Sequence, residues 1–306
     1  MKNLSDIIQY EELDNLELLA RQIVEGFIIG LHRSPFHGFS VEFAEHRQYN
    51  KGESTKYIDW KLFARSGKMF VKQFEEETNL RAHLVLDTSS SMLFPSKEKR
   101  NSKLGYSVMC AAALVHLLRQ QRDAVGLCTF SEKIDLLTPS KLSAVHAQRM
   151  YAELENLFQE RDLELHRETR ISEVLHQLAE GIHKRSLVIV FTDLMSNENP
   201  SEIFESLQHL RYNMHEVLLF VVRDRKLEED FEFTNRPTKF IDLESGQSIK
   251  LNPGEIREHY SRKQQEILEE LRIECGQFSI DLVEADIQKD FREVLLPFLM
   301  KRSKLF

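Results

Sequence analysis

Two apolar runs in this chain each stop on an aspartate, and that pair constrains the fold more than any other feature. Leu84-Val85-Leu86 leads into Asp87-Thr88-Ser89-Ser90-Ser91-Met92, and Leu187-Val188-Ile189-Val190-Phe191 leads into Thr192-Asp193. Short runs rich in branched residues read as buried strands. Helical periodicity covers about 103–119, 143–158 and 171–184 between them, and further strands are expected at 125–130, 133–137, 217–222 and 280–283. Strands alternating with helices predict an α/β fold: a doubly wound, mostly parallel sheet with helices on both faces. In such a sheet ligands bind outside the carboxyl ends of the strands. Asp87, Ser89 and Ser91 lie just past one strand end, at alternate positions. Small oxygen ligands of this kind suit Mg²⁺, which takes oxygen donors and keeps several waters. A polar turn whose serines cap the following helix explains the same stretch, and the stretch alone leaves both readings open.

More ligands at the same sheet edge would decide between them, and the chain supplies two. Asp193 ends the second apolar run, and Thr169 stands just before the helix that starts at Ile171. An Asp-x-Ser-x-Ser, a Thr at a helix start and a strand ending in Thr-Asp resemble the metal-ion-dependent adhesion site of von Willebrand factor A domains. The resemblance runs from about residue 81 to the end. It implies that Asp87, Ser89, Ser91, Thr169 and Asp193 hold Mg²⁺ or Mn²⁺. It also implies an open position on the ion for an acidic side chain of a partner protein. Two ionised carboxylates balance one divalent cation. Without the ion, Asp87 and Asp193 should repel each other and raise a pKa, so neutralising Asp193 is expected to leave the metal-free fold no less stable.

The N-terminal part carries a second resemblance. Tyr49-Asn50-Lys51-Gly52-Glu53, Ile58-Asp59-Trp60-Lys61, Ala64-Arg65 and Phe74-Glu75-Glu76-Glu77 resemble the signature of the domain of unknown function 58 family. These are bacterial proteins with a von Willebrand factor A-like domain after such a segment. Gly52-Glu53 stands where the family has Gly-Asp, and Lys56 displaces an Arg; lysine cannot make arginine's planar fork. Asp59, Trp60 and Arg65 read as structural, a buried indole flanked by ion-paired residues. The resemblance implies an accessory factor of a MoxR-type AAA+ ATPase, an adaptor or co-chaperone whose partner does the ATP work on a client.

Domain organisation follows from the periodicity. Residues 12–32 read as an amphipathic helix with Leu16, Leu19, Ile23 and Phe27 on one face and Gly26 and Gly30 spaced for close contact. Residues 1–80 are expected to pack on a main domain at 81–306. Residues 224–253 interrupt the alternation with Phe231, Phe233, Phe240 and turn signals at Arg236-Pro237 and Ser245-Gly246, which predicts a β-hairpin insertion. Helices are expected again at 255–275 and 288–301, the last ending in Lys301, Arg302 and Lys304. That tail leaves peripheral membrane contact open.

Composition narrows the function classes. The chain of 306 residues is 42% hydrophobic and 29% charged, with a net charge of −8; such a balance argues against nucleic-acid binding, which needs a basic surface. Lys97 to Lys103 form a local basic run, interrupted by Glu98, of the kind usually found in solvated loops. Three scattered cysteines, Cys110, Cys128 and Cys275, suggest a reducing compartment. With no signal-peptide pattern at Met1–Asp6 and no apolar run near ~18 residues, the chain is expected to be cytoplasmic. There is no Gly-x-x-x-x-Gly-Lys-Ser/Thr, no Gly-x-Ser-x-Gly and no His-Glu-x-x-His, so ATP hydrolysis, elbow-serine hydrolysis and zincin chemistry are not expected. His176 and His183 share a helix face without a third ligand.

A non-catalytic interaction module is the leading reading. The alternative is a Mg²⁺-dependent phosphohydrolase using Asp87 as nucleophile. Its general acid should stand two residues on, where this chain has Ser89, leaving no evident proton donor for the leaving group. A scaffold with a vestigial, metal-free site is the third reading.

Overall fold

The computed structural model of the chain describes residues 16–21, 24, 46–48, 60–72, 80–96, 102–158, 167–290 and 294–295. The chain separates into two compact units, Met1–Gly30 with Leu80–Phe306, and Leu31–Asn79. This division differs from a cut at residue 80, because the first thirty residues belong with the main domain. Their described part is helical, and Leu16, Ala20 and Val24 are buried in the main core. The backbone N–H of Leu16 donates to Glu155 Oε1 at 2.7 Å. Ile23, Phe27, Gly26 and Gly30 lie outside the described residues.

The Leu31–Asn79 unit contains β1 (His46–Gln48), α1 (Trp60–Ser66) and β2 (Phe70–Lys72), with β1 and β2 antiparallel. Trp60 is not the buried indole expected: it is 57% exposed at the start of α1, with its ring edge-on to Phe63 at 6.1 Å between centroids. Tyr49–Asp59 and the Phe74–Glu77 signature fall outside the described residues.

In the main unit the order is β3 (Arg81–Asp87), α2 (Lys103–Gln120), β4 (Ala124–Phe130), β5 (Ile134–Leu137), α3 (Ala144–Phe158), α4 (Ile171–Gly181), β6 (Leu187–Thr192), α5 (Pro200–Tyr212), β7 (Glu216–Arg223), β8 (Thr238–Ile241), β9 (Ser248–Leu251), α6 (Pro253–Gln277) and β10 (Asp281–Asp286). Six strands form one sheet in the order β10-β7-β6-β3-β4-β5. All neighbours are parallel except β4 and β5, which make the expected antiparallel hairpin. The sheet is the doubly wound one that the sequence predicts. β8 and β9 form a separate antiparallel hairpin inside the expected insertion. Of the expected last helix only Val294 and Leu295 are described, helical and buried.

Both faces of the sheet are covered, which is why its strands are continuously apolar rather than alternating. Leu84, Leu86, Ile189 and Phe191 join α2, α3 and the N-terminal helix in one core, where Phe191 stacks on Phe220 at 4.6 Å. Val85, Val188 and Val190 join α4, α5 and part of α6 in the other. α2 is buried on nearly every face, as expected of a helix with cover on both sides. Prolines open α5 and α6 at the first turn, where no backbone donor is lost. The three cysteines are buried free thiols.

The central sheet is closely packed at Gly126, opposite His83 in the β3–β4 register. A Cβ there would meet Thr138 O at 2.8 Å and His83 Nδ1 at 2.9 Å. Neither ring nitrogen of His83 has a hydrogen-bond partner, and burial pushes its pKa down to about 4. The ring therefore fills space as a neutral group, with no slack to accept a methyl. Gly126→Ala is expected to destabilise the domain by roughly 1–3 kcal/mol, the usual range for overpacking, as read by urea denaturation.

Candidate functional site

The site is built where the strand order reverses. From β3 the chain moves to β4 on one side, and later returns to β6 on the other. The crevice outside the carboxyl ends of β3 and β6 is thus the switch point at which ligands bind in open α/β sheets. Leu86 pairs with Phe191 in the register, so Asp87 falls beside Thr192. The Thr192 hydroxyl donates to Asp87 Oδ2 at 2.7 Å, and the backbone N–H of Ser89 donates to Oδ1 at 2.9 Å.

The loop after β3 is not a helix cap. Ser89 precedes the short turn Ser90–Leu93 but makes no side-chain capping bond, and α2 is capped by Ser102, whose hydroxyl accepts from Gly105 N. The Ser89 and Ser91 hydroxyls instead face each other at 3.1 Å. The next loop is tied to this one by reciprocal bonds: Ser90 N donates to Arg167 O, and Arg167 N to Ser90 Oγ. Arg170 N also donates to Ser131 O at the end of β4. Arg170, not Thr169, holds the N-cap position of α4, so the Thr169 hydroxyl stays available to the site. The fold thus gathers Asp87, Ser89, Ser91, Thr169 and Asp193 at one sheet edge. Asp87, Ser89 and Asp193 are fully buried and Thr169 nearly so.

Three further residues complete the site, none of them singled out by the sequence reading. Lys103, taken with the solvated basic run, is fully buried: its Nζ lies 2.6 Å from Asp193 Oδ2 and 2.5 Å from Glu228 Oε1. Burial opposes the ammonium charge, but the two carboxylates more than reverse this and raise its pKa. One signal was present in the sequence. A lysine in the first turn of a helix opposes the dipole and needs carboxylates brought from elsewhere. Asp193 is fixed further by Met195 N, which donates to Oδ1 at 2.9 Å across Leu194, held in the left-handed region at φ 57°. That conformation is strained for a leucine.

The third residue is Glu244, in the turn between β8 and β9. Its carboxylate accepts from the Thr169 hydroxyl at 2.9 Å and from the Thr169 backbone N–H at 3.4 Å. It is buried, and burial raises its pKa against the pull of those hydrogen bonds. A cavity of about 370 Å³ opens beside it, lined by Glu168, Glu173, Glu198 and Glu202 with Arg170.

The donors fit a hard cation. All are oxygens, and the Ser89–Ser91 and Thr169–Glu244 pairs are hydrogen-bonded at 3.1 and 2.9 Å, separations that adjacent ligands of Mg²⁺, at about 2.0–2.1 Å from the ion, also have. Among the described residues no three His, Cys, Asp or Glu side chains could hold a metal as a group, so a metal shell here would draw largely on hydroxyls and water. Asp87 carries the unbalanced charge: burial first, and the Asp193 carboxylate second, push its pKa up to about 7. The expected repulsion between the two aspartates is therefore present. The expectation for Asp193→Asn needs correction, however, because that change also removes a partner from the buried Lys103.

The chain belongs to the family described as "Protein of unknown function DUF58", whose profile matches residues 45–269. It is 28% identical over 140 residues to "Uncharacterized protein Rv1480" of Mycobacterium tuberculosis and, to the same extent, to "Uncharacterized protein Mb1516" of Mycobacterium bovis. The match covers 45% of this chain and 43% of each relative, so the chain spans less than half the length of the curated relatives it matches. Among solved structures it is similar to BatB from Bacteroides thetaiotaomicron, at 16% identity and a TM-score of 0.45, over 74% of this chain and 99% of that one. It is also similar to a von Willebrand factor type A protein from Catenulispora acidiphila, at 14% identity and a TM-score of 0.35, over 48% and 34%. Among the described residues no helix is long and apolar enough to cross a membrane.

Two outcomes follow from the electrostatics. Lys103→Met leaves Asp193 and Glu228 buried without their cation, and unpairing a buried charge costs about 3–5 kcal/mol; chemical denaturation is expected to show a loss of that order. The second concerns pH. A carboxyl whose folded pKa is raised from 3.8 to about 7 adds stability in full below the lower value and loses it as pH rises through the upper one. In EDTA the melting temperature should fall between pH 5 and pH 8, and Asp87→Asn should flatten that slope. An unchanged slope in the variant would remove Asp87 as its cause.

Proposed function

We propose that this protein is a non-catalytic, metal-dependent interaction module that binds an acidic side chain of a protein partner through Mg²⁺ or Mn²⁺. One observation carries the reading. The five oxygen-bearing residues of the adhesion-site pattern meet at the switch point of the sheet, with the Ser89 and Ser91 hydroxyls side by side at 3.1 Å. In this reading Ser89, Ser91 and Thr169 supply neutral ligands, Asp87 supplies the charge, and Asp193 is the outer carboxylate held by Lys103. When bound, the ion is a positive anchor for a carboxylate. The acidic rim beside Thr169 repels such a side chain on its own, which makes binding conditional on the cation.

Asp87 is placed to position rather than to attack. Both of its oxygens accept hydrogen bonds, it has no exposed surface, and Ser89 is not the acid that a phosphoaspartyl mechanism needs. The family resemblance supports the partner class, a MoxR-type AAA+ ATPase or its client, with this chain acting as a cytoplasmic adaptor or co-chaperone.

Purified MoxR-type ATPase from the same organism should bind the immobilised protein in Mg²⁺ or Mn²⁺ and dissociate in EDTA. In thermal melts Mg²⁺ should stabilise the wild type by roughly 2.7 kcal/mol at a hundredfold excess over its dissociation constant. Thr169→Val, which loses a hydroxyl at constant volume, should respond much less. Equal Mg²⁺ shifts in the two proteins would place the ion elsewhere, and binding undiminished by EDTA would favour a scaffold that works without metal.

A further inference from the structure

Glu244 comes from the β8–β9 insertion, outside the sheet, yet it reaches one of the five site residues through two hydrogen bonds. Its carboxylate accepts from Thr169 Oγ1 at 2.9 Å and from Thr169 N at 3.4 Å. It is 5% exposed. Nothing in the local turn requires this reach: the turn is closed by Asp242, which accepts from Glu244 N at 2.9 Å, and by Gly246 in the left-handed region at φ 71°. A glutamate at a hairpin tip would ordinarily point into water.

We propose that Glu244 is a built-in ligand of the site. It occupies, from within the chain, the position that an acidic partner side chain takes, so that a partner binds by displacing the hairpin tip. The inference rests on the metal-dependent reading above. Three observations support it. The first is the contact itself, a carboxylate drawn from outside the sheet onto the Thr169 hydroxyl and backbone N–H. The second is charge. Exchanging the Glu244 carboxylate for a partner's carboxylate leaves the charge around Asp87, Asp193, Glu228 and Lys103 unchanged, so the site is balanced alike in both states. The third is how the insertion is anchored. Phe231 packs on Phe240 and on Tyr260 of α6, and Arg257 of α6 donates to the carbonyls of Phe231 and Phe233. These contacts hold the insertion against α6 as far as Phe240 in β8, and beyond it Glu244 ties the turn to the site through Thr169. Ile241 and Ile249 are more than half exposed, so the strands near the tip bury little surface that withdrawal would expose.

Mn²⁺ alone is a sufficient probe, because the relaxation of water protons counts the waters on the bound ion. The full chain is compared with Glu244→Ala and, to guard against a folding defect, Glu244→Gln. In the wild type Glu244 holds one coordination position. Glu244→Ala should therefore bind Mn²⁺ more weakly and with one more exchangeable water. Added acetate should lower the water count of Glu244→Ala and leave the wild type unchanged. Hydrogen exchange at residues 242–247 should slow on Mn²⁺ addition in the wild type only. Mn²⁺ binding with equal water counts in wild type and both variants overturns this inference and leaves the proposed function standing. No Mn²⁺ binding to any of the three overturns both.

Discussion

The buried ammonium of Lys103 is the interaction on which the rest of the site depends. It joins the first turn of α2 to Asp193 after β6 and to Glu228 in the turn after β7. A fully buried charge is tolerated only when paired and hydrogen-bonded. Here each partner is itself held: Asp193 by Met195 N, and Glu228 by Asp224 N at 2.8 Å. Three segments far apart in sequence are thereby fixed around one point. The lysine also divides the labour between the two aspartates. Asp193 is compensated from within, and Asp87 is left with its charge raised in energy by burial. In the proposed function this uncompensated carboxyl, beside Ser89 and Ser91, is what draws the cation.

Strand order does the next part. Because β3 lies between β6 and β4, Thr192 is brought against Asp87, and the loop at 167–170 is clamped between Ser90 and Ser131. None of these bonds is local. The same arrangement explains why so many polar side chains at this edge are buried without being orphaned: they satisfy one another in a network across β3, β6 and the loops. His83, by contrast, sits deeper in the sheet with both ring nitrogens unpartnered and acts as packing volume beside Gly126.

The insertion makes this domain more than a bare sheet-edge site. A hairpin fastened to α6 by aromatic packing extends to the crevice and delivers Glu244 to the Thr169 hydroxyl. In the proposal above, site access and hairpin position are one variable. Glu168, Glu173, Glu198 and Glu202 line the cavity beside Glu244 and give that rim a negative charge.

The sequence by itself determined the sheet and half of the site. Leu84–Leu86 and Leu187–Phe191 are apolar at every position because both faces are covered. The aspartates after them mark the strand ends, and Ser89, Ser91 and Thr169 follow a pattern with fixed roles. Those signals are local, so they survive in one dimension. Trp60 misled because an aromatic in a polar segment carries no record of what covers it. Lys103, Glu228 and Glu244 were not legible for a stricter reason. Each acts through a partner 75 or more residues away in sequence, and one more charged residue in a basic run, a turn or a hairpin looks like ordinary solvated charge. Only the tertiary structure decided that these charges are buried together, because burial and pairing are set by the register of β3 against β6 and by where the insertion folds back.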